Sequence, residues 1–166
     1  PTILLLDDDT QFRTSVTPAL EAFGLRVVSV TKGSIARALI EEEEPALLVV
    51  DGLLPDTNGI VWIERLRADG YTTPVVFVSA FYRDLTTFRH LTRDLDVIKV
   101  FHKPVAVDRF AREVASAVAA GESKVPVENA ASLAATPQAL DENEPYVILE
   151  GAETARVALT AGIERP

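Results

Sequence analysis

Three consecutive aspartates, Asp7, Asp8 and Asp9, follow the first apolar run of the chain. Carboxylates this close repel one another unless a cation lies among them. Other polar side chains follow later apolar runs: Asp51, Ser79 and Lys103. Carboxylates without imidazole or thiolate partners are typical ligands of a hard cation such as Mg²⁺. The residue types therefore predict an acidic site for Mg²⁺ with a hydroxyl and an ammonium group beside it.

This set of side chains has the parts for phosphoryl transfer. One carboxylate can attack phosphorus while the cation and Lys103 neutralise the phosphoryl oxygens and Ser79 donates a hydrogen bond to one of them. Asp51 is the candidate nucleophile because it is the isolated acid on the predicted central strand. The chemistry requires residues that are far apart in sequence to meet, so the secondary structure must bring them together.

Five apolar runs alternate with helical patterns before residue 121. Runs of Val, Ile and Leu without polar alternation are typical of strands covered on both faces. The runs are residues 2–6, 25–30, 46–50, 74–78 and 96–101. Five such strand and helix units predict an α/β fold with a doubly wound parallel sheet. Sites in these sheets form beyond the carboxyl ends of the strands, where the acids, Ser79 and Lys103 lie.

Composition narrows the class of protein. The chain has no cysteine, which excludes disulfides and thiolate metal sites, and its two histidines are too few for an imidazole zinc site. A net charge of −9 argues against direct binding to DNA or to an anionic membrane. No secretory signal or long apolar span is visible, so a cytoplasmic location is the default expectation.

The composition and charge of the sequence change after Gly121. Residues 1–121 carry 13 Lys and Arg against 17 Asp and Glu, whereas residues 122–166 carry 3 against 8. Residues 122–145 form an acidic segment rich in alanine and proline, which predicts a linker. Residues 146–166 contain a short apolar run and a possible helix, and we interpret them as a C-terminal extension or the start of a truncated effector region.

Four short motifs in register with the five units carry a family resemblance. They are Asp7-Asp8 with Arg13 beyond, the stretch DGLLPDTNG from Asp51 to Gly59, Ser79-Ala80, and Lys103-Pro104. Residues 2 to about 120 resemble the receiver domain of two-component response regulators. The resemblance implies a flavodoxin-like (βα)5 fold and a phosphorylation-controlled switch of protein contacts rather than a conventional enzyme.

The resemblance also implies a role for each matching position. Asp51 would accept a phosphoryl group from a histidine kinase or a phosphotransfer protein, in a Mg²⁺-dependent reaction that the domain itself catalyses. Ser79 would move to a phosphoryl oxygen and Lys103 would pair with it. The bond between Lys103 and Pro104 would be cis, as proline permits.

The implied Mg²⁺ ligands are Asp8 and Asp51, the backbone carbonyl of Leu53, and Asp7 acting mainly through water. The partners implied are the phosphodonor, a downstream effector protein or domain, and possible homodimerisation. Asp9 or Thr10 is expected to cap the helix that follows the first strand.

Two departures from the family pattern concern the switch and the partner-contacting face of the domain. The place three residues before Lys103, which is usually aromatic, holds Val100, and Phe101 is expected on the opposite face of the strand. Transmission is therefore expected to use other residues, with Phe81 and Tyr82 as candidates; the alternative is that these two aromatics only pack against the fourth helix. The segment from Ser79 to Lys103 is also slightly longer than in typical members, which predicts an irregular fourth helix or loop.

Two rival functions remain open on the sequence. A receiver-like scaffold that is never phosphorylated would explain Val100. A phosphatase with an aspartyl nucleophile would usually carry a second aspartate two residues after the first, where this chain has Leu53.

Overall fold

The computed structural model describes residues 1–122, and the predicted linker and C-terminal extension lie outside the described residues apart from Glu122. Five strands alternate with helices along this part of the chain. The strands are β1 (Thr2–Leu6), β2 (Arg26–Val30), β3 (Leu47–Asp51), β4 (Val75–Ser79) and β5 (Val97–His102). The helices are α1 (Thr10–Glu21), α2 (Gly33–Glu43), α3 (Gly59–Ala68), α4 (Leu85–Arg89), a π-helical turn (His90–Asp94) and α5 (Val107–Glu122).

The strands form one parallel sheet in the order β2-β1-β3-β4-β5. This confirms the predicted doubly wound α/β architecture. Four of the five strands lie about one residue later than the apolar runs predicted. Strand β2 departs from the expectation of two covered faces, because Arg26 and Ser29 are exposed on this edge strand.

Each face of the sheet packs against its own helices. Alternate residues of β1 divide between the faces, with Leu4 and Leu6 on one side and Ile3 and Leu5 on the other. The first side packs on α2, α3 and the π-helical turn, and the second packs on α1 and α5. Both faces of the central strands are therefore buried, which leaves their carboxyl ends as the place for polar chemistry.

The buried face of α2 differs from the apolar pattern of the sequence. Ile35 is 48% exposed, whereas Ala36 and Ile40 are buried against the sheet. The helix packs closely where small residues allow it. At Gly33 an added Cβ would lie 2.6 Å from Cδ1 of Trp62, so a larger residue would push α2 away from α3.

The segment between β4 and β5 is irregular, which confirms the expectation from its length. Helix α4 has only five residues before it continues as the π-helical turn. The register of β4 and β5 then shifts, because Val75 pairs with Val97 whereas Val76 pairs with Lys99. This shift is a bulge at Ile98.

The guanidinium of Arg67 holds the irregular segment in place by donating to the carbonyl oxygens of Leu95, Tyr71 and Thr73 at 2.8 to 2.9 Å.

Within residues 1–122, no helix has the length and apolar character needed to cross a membrane.

Candidate functional site

The carboxyl ends of four adjacent strands bring the predicted residues to one edge of the sheet. Asp51 and Ser79 are the last residues of β3 and β4, and Asp7 and Lys103 directly follow β1 and β5. Lys103 donates its backbone N–H to the carbonyl of Ser79 at 2.9 Å, so the ends of β4 and β5 stay paired beside the site. An open pocket at this edge is lined by Asp8, Asp9, Asp51, Leu53, Leu54, Pro55, Ala80, Phe81 and Lys103.

Three carboxylates lie close together at this edge of the sheet, and Asp8 and Asp51 among them line the pocket. Asp7, Asp8 and Asp51 each offer an oxygen atom, and these atoms all lie within 4.8 Å of one another. Asp7 is fully buried and Asp51 is nearly so, while Asp8 is exposed. Burial raises the pKa of Asp7 to about 6 and also raises the pKa of Asp51. Bringing further negative charge here is unfavourable without a cation.

The donor set fits a hard divalent cation. Asp7 Oδ2 is buried and receives no well-aligned hydrogen bond from residues 1–122, although Nζ of Lys103 approaches it to 2.8 Å. Asp8 presents its carboxylate from the exposed side of the same cluster. Oxygen ligands of this kind, with room for water, match the preference of Mg²⁺.

Lys103 supplies the positive charge of the site. Its Nζ lies 2.8 Å from Asp7 Oδ2, 3.4 Å from Asp51 Oδ1 and 3.6 Å from Asp9 Oδ2. It also lies 4.5 Å from the centroid of the Phe12 ring, on which a cation is favoured. Burial favours a lower pKa for Lys103, but the close ion pair with Asp7 and the surrounding carboxylates outweigh burial and raise the pKa. The lysine therefore stays charged.

The three opening aspartates have different surroundings. Asp9 accepts a hydrogen bond from the Phe12 amide at 3.1 Å and caps α1, as expected for one of the first residues after β1. Its own amide donates to Asp7 Oδ1 at 2.8 Å. Arg13, one turn into α1, donates to the carbonyl of Asp7 at 2.7 Å. These bonds fix the chain around Asp7 while leaving Asp8 facing the pocket.

The loop after β3 is tightly folded against Asp51. The amide of Leu53 lies 3.3 Å from Asp51 Oδ2, and Leu53 forms an isolated antiparallel bridge with Asn58. Steric crowding explains why the DGLLPDTNG stretch ends in a glycine, Gly59. A Cβ on Gly59 would lie 2.0 Å from the carbonyl oxygen of Asp51, so only glycine allows α3 to start this close to β3.

Asp56 ties this loop to α2, which the sequence analysis missed. Its two carboxylate oxygens accept from the amides of Gly33 at 2.9 Å and Ser34 at 3.1 Å. The residue at the N-cap position of α2, Lys32, makes no side-chain hydrogen bond to the helix, so Asp56 caps α2 from another part of the chain. The amides of Gly33 and Ser34 lower the pKa of Asp56, which keeps it ionised. A local pattern could not reveal a cap separated by more than 20 residues.

Ser79 is buried at the end of β4. Its Oγ accepts from the amides of Phe81 at 3.0 Å and Tyr82 at 3.4 Å. A Cβ on Gly52 would lie 2.8 Å from the same Oγ, so the serine packs directly against the loop after Asp51. The hydroxyl therefore lies between the two loops that border the site.

The residues near the end of β5 face different surroundings. Val100 is buried in the cluster that contains Phe77 and Leu91, and Phe101 faces the opposite side, with its ring 5.0 Å from that of Phe110. This confirms the expected opposite orientation of Phe101. Phe81, a candidate for the switch, is 69% exposed.

His102, beside Lys103, is buried in β5. One of its ring nitrogens lies 3.1 Å from the carbonyl of Ala80, and Arg83 contacts the ring from the loop after β4. These contacts hold the ends of β4 and β5 together. The bond between Lys103 and Pro104 is cis, as expected.

Comparison with known proteins gives a consistent family. A family model described as "Response regulator receiver domain" matches residues 3–115. The transcriptional regulatory protein CssR of Bacillus subtilis is 35% identical over 103 residues, covering 62% of this chain and 44% of CssR. The phosphate regulon transcriptional regulatory protein PhoB of Pseudomonas aeruginosa is 29% identical over 131 residues, covering 76% of this chain and 57% of PhoB. The chain thus spans about half the length of these curated relatives.

Solved structures share the fold. A CheY-like response regulator receiver domain protein from Methanospirillum hungatei has a TM-score of 0.65 at 24% identity, covering 73% of this chain and 95% of that one. The BeF3-activated N-terminal receiver domain of Klebsiella pneumoniae RstA has a TM-score of 0.62 at 19% identity, covering 71% and 98%. The match over residues 3–115 and the order of the strands lead to one conclusion. The chain belongs to the family of response regulator receiver domains, the signalling domains of two-component systems.

Proposed function

We propose that Asp51 accepts a phosphoryl group in a Mg²⁺-dependent reaction and that its phosphorylation changes the protein contacts of the domain. One observation supports this above all. Asp51 shares a cluster of carboxylate oxygens with Asp7 and Asp8, and Lys103 Nζ lies 3.4 Å from its Oδ1. The site thus combines a nucleophile, cation ligands and a fixed positive charge.

The reaction moves the phosphoryl group from a donor to a carboxylate oxygen of Asp51. A bond forms between that oxygen and phosphorus, and the bond from phosphorus to the donor breaks with its electron pair passing to the donor. For a histidine donor, the leaving group is the imidazole nitrogen. The chain's own contribution is to orient Asp51 and to favour its ionised form against the effect of burial, because the Leu53 amide and Lys103 both contact its carboxylate.

Mg²⁺, when bound, would neutralise the oxygens of the transferring phosphoryl group. We assign Asp8, Asp51 and the carbonyl of Leu53 as its direct ligands, with Asp7 acting through water. Lys103 then remains as the side chain that pairs with the phosphoryl group. Ser79 would donate its hydroxyl hydrogen to a phosphoryl oxygen after it leaves the amides of Phe81 and Tyr82.

The partners follow from the same proposal. The donor is a histidine kinase or a phosphotransfer protein, and the output passes to an effector protein or domain, with homodimerisation as a possible form of that output. The curated relatives are named transcriptional regulatory proteins, and this chain spans about half of their length. An effector region comparable to theirs would therefore lie outside the described residues.

A small phosphodonor tests the proposal directly. Incubation with Mg²⁺ and acetyl phosphate, followed by intact-protein mass spectrometry, is expected to show one phosphoryl adduct in the wild-type protein and none in Asp51→Asn. Omission of Mg²⁺ is expected to suppress the adduct as well. Asp69→Asn is the matched control, because Asp69 is an exposed aspartate at the end of α3 that pairs with Arg37 at 3.1 Å. This control is expected to form the adduct normally.

Two results would contradict the proposal. A wild-type protein that never forms the adduct and does not bind Mg²⁺ would indicate a scaffold that is not phosphorylated. Sustained turnover of phosphate esters, with Asp51 needed in each cycle, would indicate a phosphatase.

A further inference from the structure

At Val100, strand β5 carries a smaller side chain than the aromatic residue that is usual at this position. The aromatic ring of a loop residue, Tyr82, packs against the cluster that contains Val100. Tyr82, in the loop between β4 and α4, packs partly buried against the cluster that contains Val100 and Phe77. Its ring centroid lies 6.1 Å from that of Phe77, and Phe77 pairs with Val100 across β4 and β5. A loop residue thus adds an aromatic ring to the cluster that contains Val100 and Phe77.

Tyr82 contacts both loops that border the candidate site. Its backbone amide lies 3.4 Å from Oγ of Ser79, and its phenolic oxygen accepts a hydrogen bond from Nδ2 of Asn58. Asn58 lies in the loop after β3 that begins next to Asp51. One residue thus joins the loop that holds Ser79 to the loop that follows Asp51.

Asn58 in turn fixes the start of α3. Its Oδ1 accepts from the Ile60 amide at 2.8 Å as the helix cap, and its carbonyl accepts from the Trp62 amide at 3.0 Å. A displacement of Asn58 would therefore change the first turn of α3. The indole of Trp62, which donates to the carbonyl of Gly33 at 2.9 Å, would experience that change.

We propose that Tyr82 is a positioning residue that couples the movement of Ser79 to the start of α3. This inference rests on the proposed phosphorylation of Asp51. When the Ser79 hydroxyl turns towards a phosphoryl oxygen, it gives up the amides of Phe81 and Tyr82. The loop then rearranges, and the bond between Tyr82 and Asn58 carries the change to α3.

The contacts distinguish Tyr82 from its neighbour Phe81. Both amides donate to Ser79 Oγ, but the Phe81 side chain is 69% exposed and only Tyr82 packs on the buried cluster. A switch that acts through packing requires a side chain with a defined contact on each side. The assignment therefore goes to Tyr82.

Removal of the tyrosine hydroxyl tests the coupling while keeping the ring. Beryllofluoride with Mg²⁺ serves as the probe, and ¹⁹F NMR measures its occupancy at Asp51 independently of any conformational response. The response is read from the Asn58 side-chain amide and the Trp62 indole N–H in ¹⁵N spectra. Tyr71→Phe is the matched control, because the Tyr71 hydroxyl bonds Glu41, and Tyr71 lies in the loop before β4, at the opposite end of the sheet.

Wild type, Tyr82→Phe and Tyr71→Phe are all expected to bind the probe. The Asn58 and Trp62 signals are expected to move in wild type and Tyr71→Phe, and to move by roughly half as much or less in Tyr82→Phe, as expected when one link of a coupled pair is removed. Asn58→Ser, which keeps a capping oxygen but removes the amide donor, is expected to weaken the Trp62 response in the same way.

Two results would overturn the coupling. One is a full Asn58 and Trp62 response in Tyr82→Phe, and the other is a wild-type protein that binds the probe with no movement of these signals. A wild-type protein with no bound probe in the ¹⁹F spectrum would instead refute the phosphorylation of Asp51, on which the coupling rests.

Discussion

At the residue scale, Asp51 balances two opposing effects. Burial raises its pKa, while Lys103 and the Leu53 amide favour the ionised form that the proposed reaction requires. The same lysine contacts Asp7 more closely, at 2.8 Å against 3.4 Å for Asp51. A cation bound by the acids would take over the neutralisation of Asp7. Lys103 would then be free to turn towards a phosphoryl group on Asp51, as the proposed function requires.

Gly59 allows a specific test at this scale. Its missing Cβ would lie 2.0 Å from the Asp51 carbonyl oxygen, which is backbone and cannot rotate away. Gly59→Ala is expected to push α3 from β3, to destabilise the fold by about 1 to 3 kcal/mol as other overpacking changes do, and to slow adduct formation. Urea unfolding and the acetyl phosphate assay measure the two effects.

Gly121 provides the control for Gly59. An added Cβ at Gly121, near the end of α5, meets no heavy atom within 4 Å. Gly121→Ala is expected to leave adduct formation unchanged and to stabilise the protein by up to about 1 kcal/mol, since alanine favours helix. Equal effects of the two substitutions would show that the close approach at Gly59 is not what requires glycine.

At the element scale, the π-helical turn is held by a histidine between two carboxylates. His90 Nδ1 lies 2.9 Å from Asp94 Oδ2 in the same turn, and Nε2 lies 2.7 Å from Glu64 Oε1 on α3. The bond to Asp94, and next the bond to Glu64, raises the pKa of His90. The ring, when protonated, links the irregular segment before β5 to α3 through both carboxylates.

The pKa direction gives a pH dependence. Because the folded-state pKa of His90 is raised, its stabilisation is fully present below the unfolded-state pKa and disappears as pH rises through the folded-state value. Wild type is therefore expected to lose stability relative to His90→Gln as pH rises from about 6 to about 8, by less than about 1 kcal/mol because the groups are exposed. Urea unfolding of both proteins across this range measures the difference.

Glu64→Gln gives an independent test of the same link. It keeps His90 but removes one of the two carboxylates, so it is expected to reduce the pH-dependent difference without eliminating it. If wild type and His90→Gln showed the same pH dependence, the histidine would not contribute a protonation-linked contact.

At the scale of the whole molecule, the described residues cover both faces of the sheet. The last helix, α5, contributes the buried side chains Phe110, Val114 and Val118, and it packs beside α1. Each large apolar side chain contributes roughly 2 kcal/mol when buried, against a total stability of about 5 to 15 kcal/mol for an ordinary domain. Helix α5 is therefore essential to the fold.

Truncation tests whether the fold needs α5 but no residue beyond it. A chain that ends after Glu122 is expected to unfold within about 0.5 kcal/mol of the 166-residue chain and to keep the proposed Mg²⁺ binding, because the buried clusters and the acidic site lie within residues 1–122. A chain that ends after Ala106 lacks α5 and is not expected to fold. Urea unfolding followed by circular dichroism compares them. A large loss of stability in the longer fragment would show that later residues complete the fold.

The sequence predicted the sheet and the polar residues of the site because both depend on patterns along the chain. Apolar runs mark the strands, and parallel strands place their carboxyl ends together. The contacts of Asp56 with α2 and of Tyr82 with Asn58 were not predictable, since each joins segments more than 20 residues apart in sequence. The packing of α2 was not predictable either, because the small side chain of Ala36 packs against the sheet and the larger Ile35 does not.

The bulge at Ile98 has a consequence for the behaviour of the protein at high concentration. Strand β5 is an edge of the sheet, and a regular edge offers unpaired backbone groups to a strand from another molecule. The bulge interrupts that regular spacing, and Lys99, paired with Glu113 at 2.8 Å, adds charge beside it. An incoming strand would meet irregularly spaced backbone groups, so strand β5 is a poor template for sheet extension.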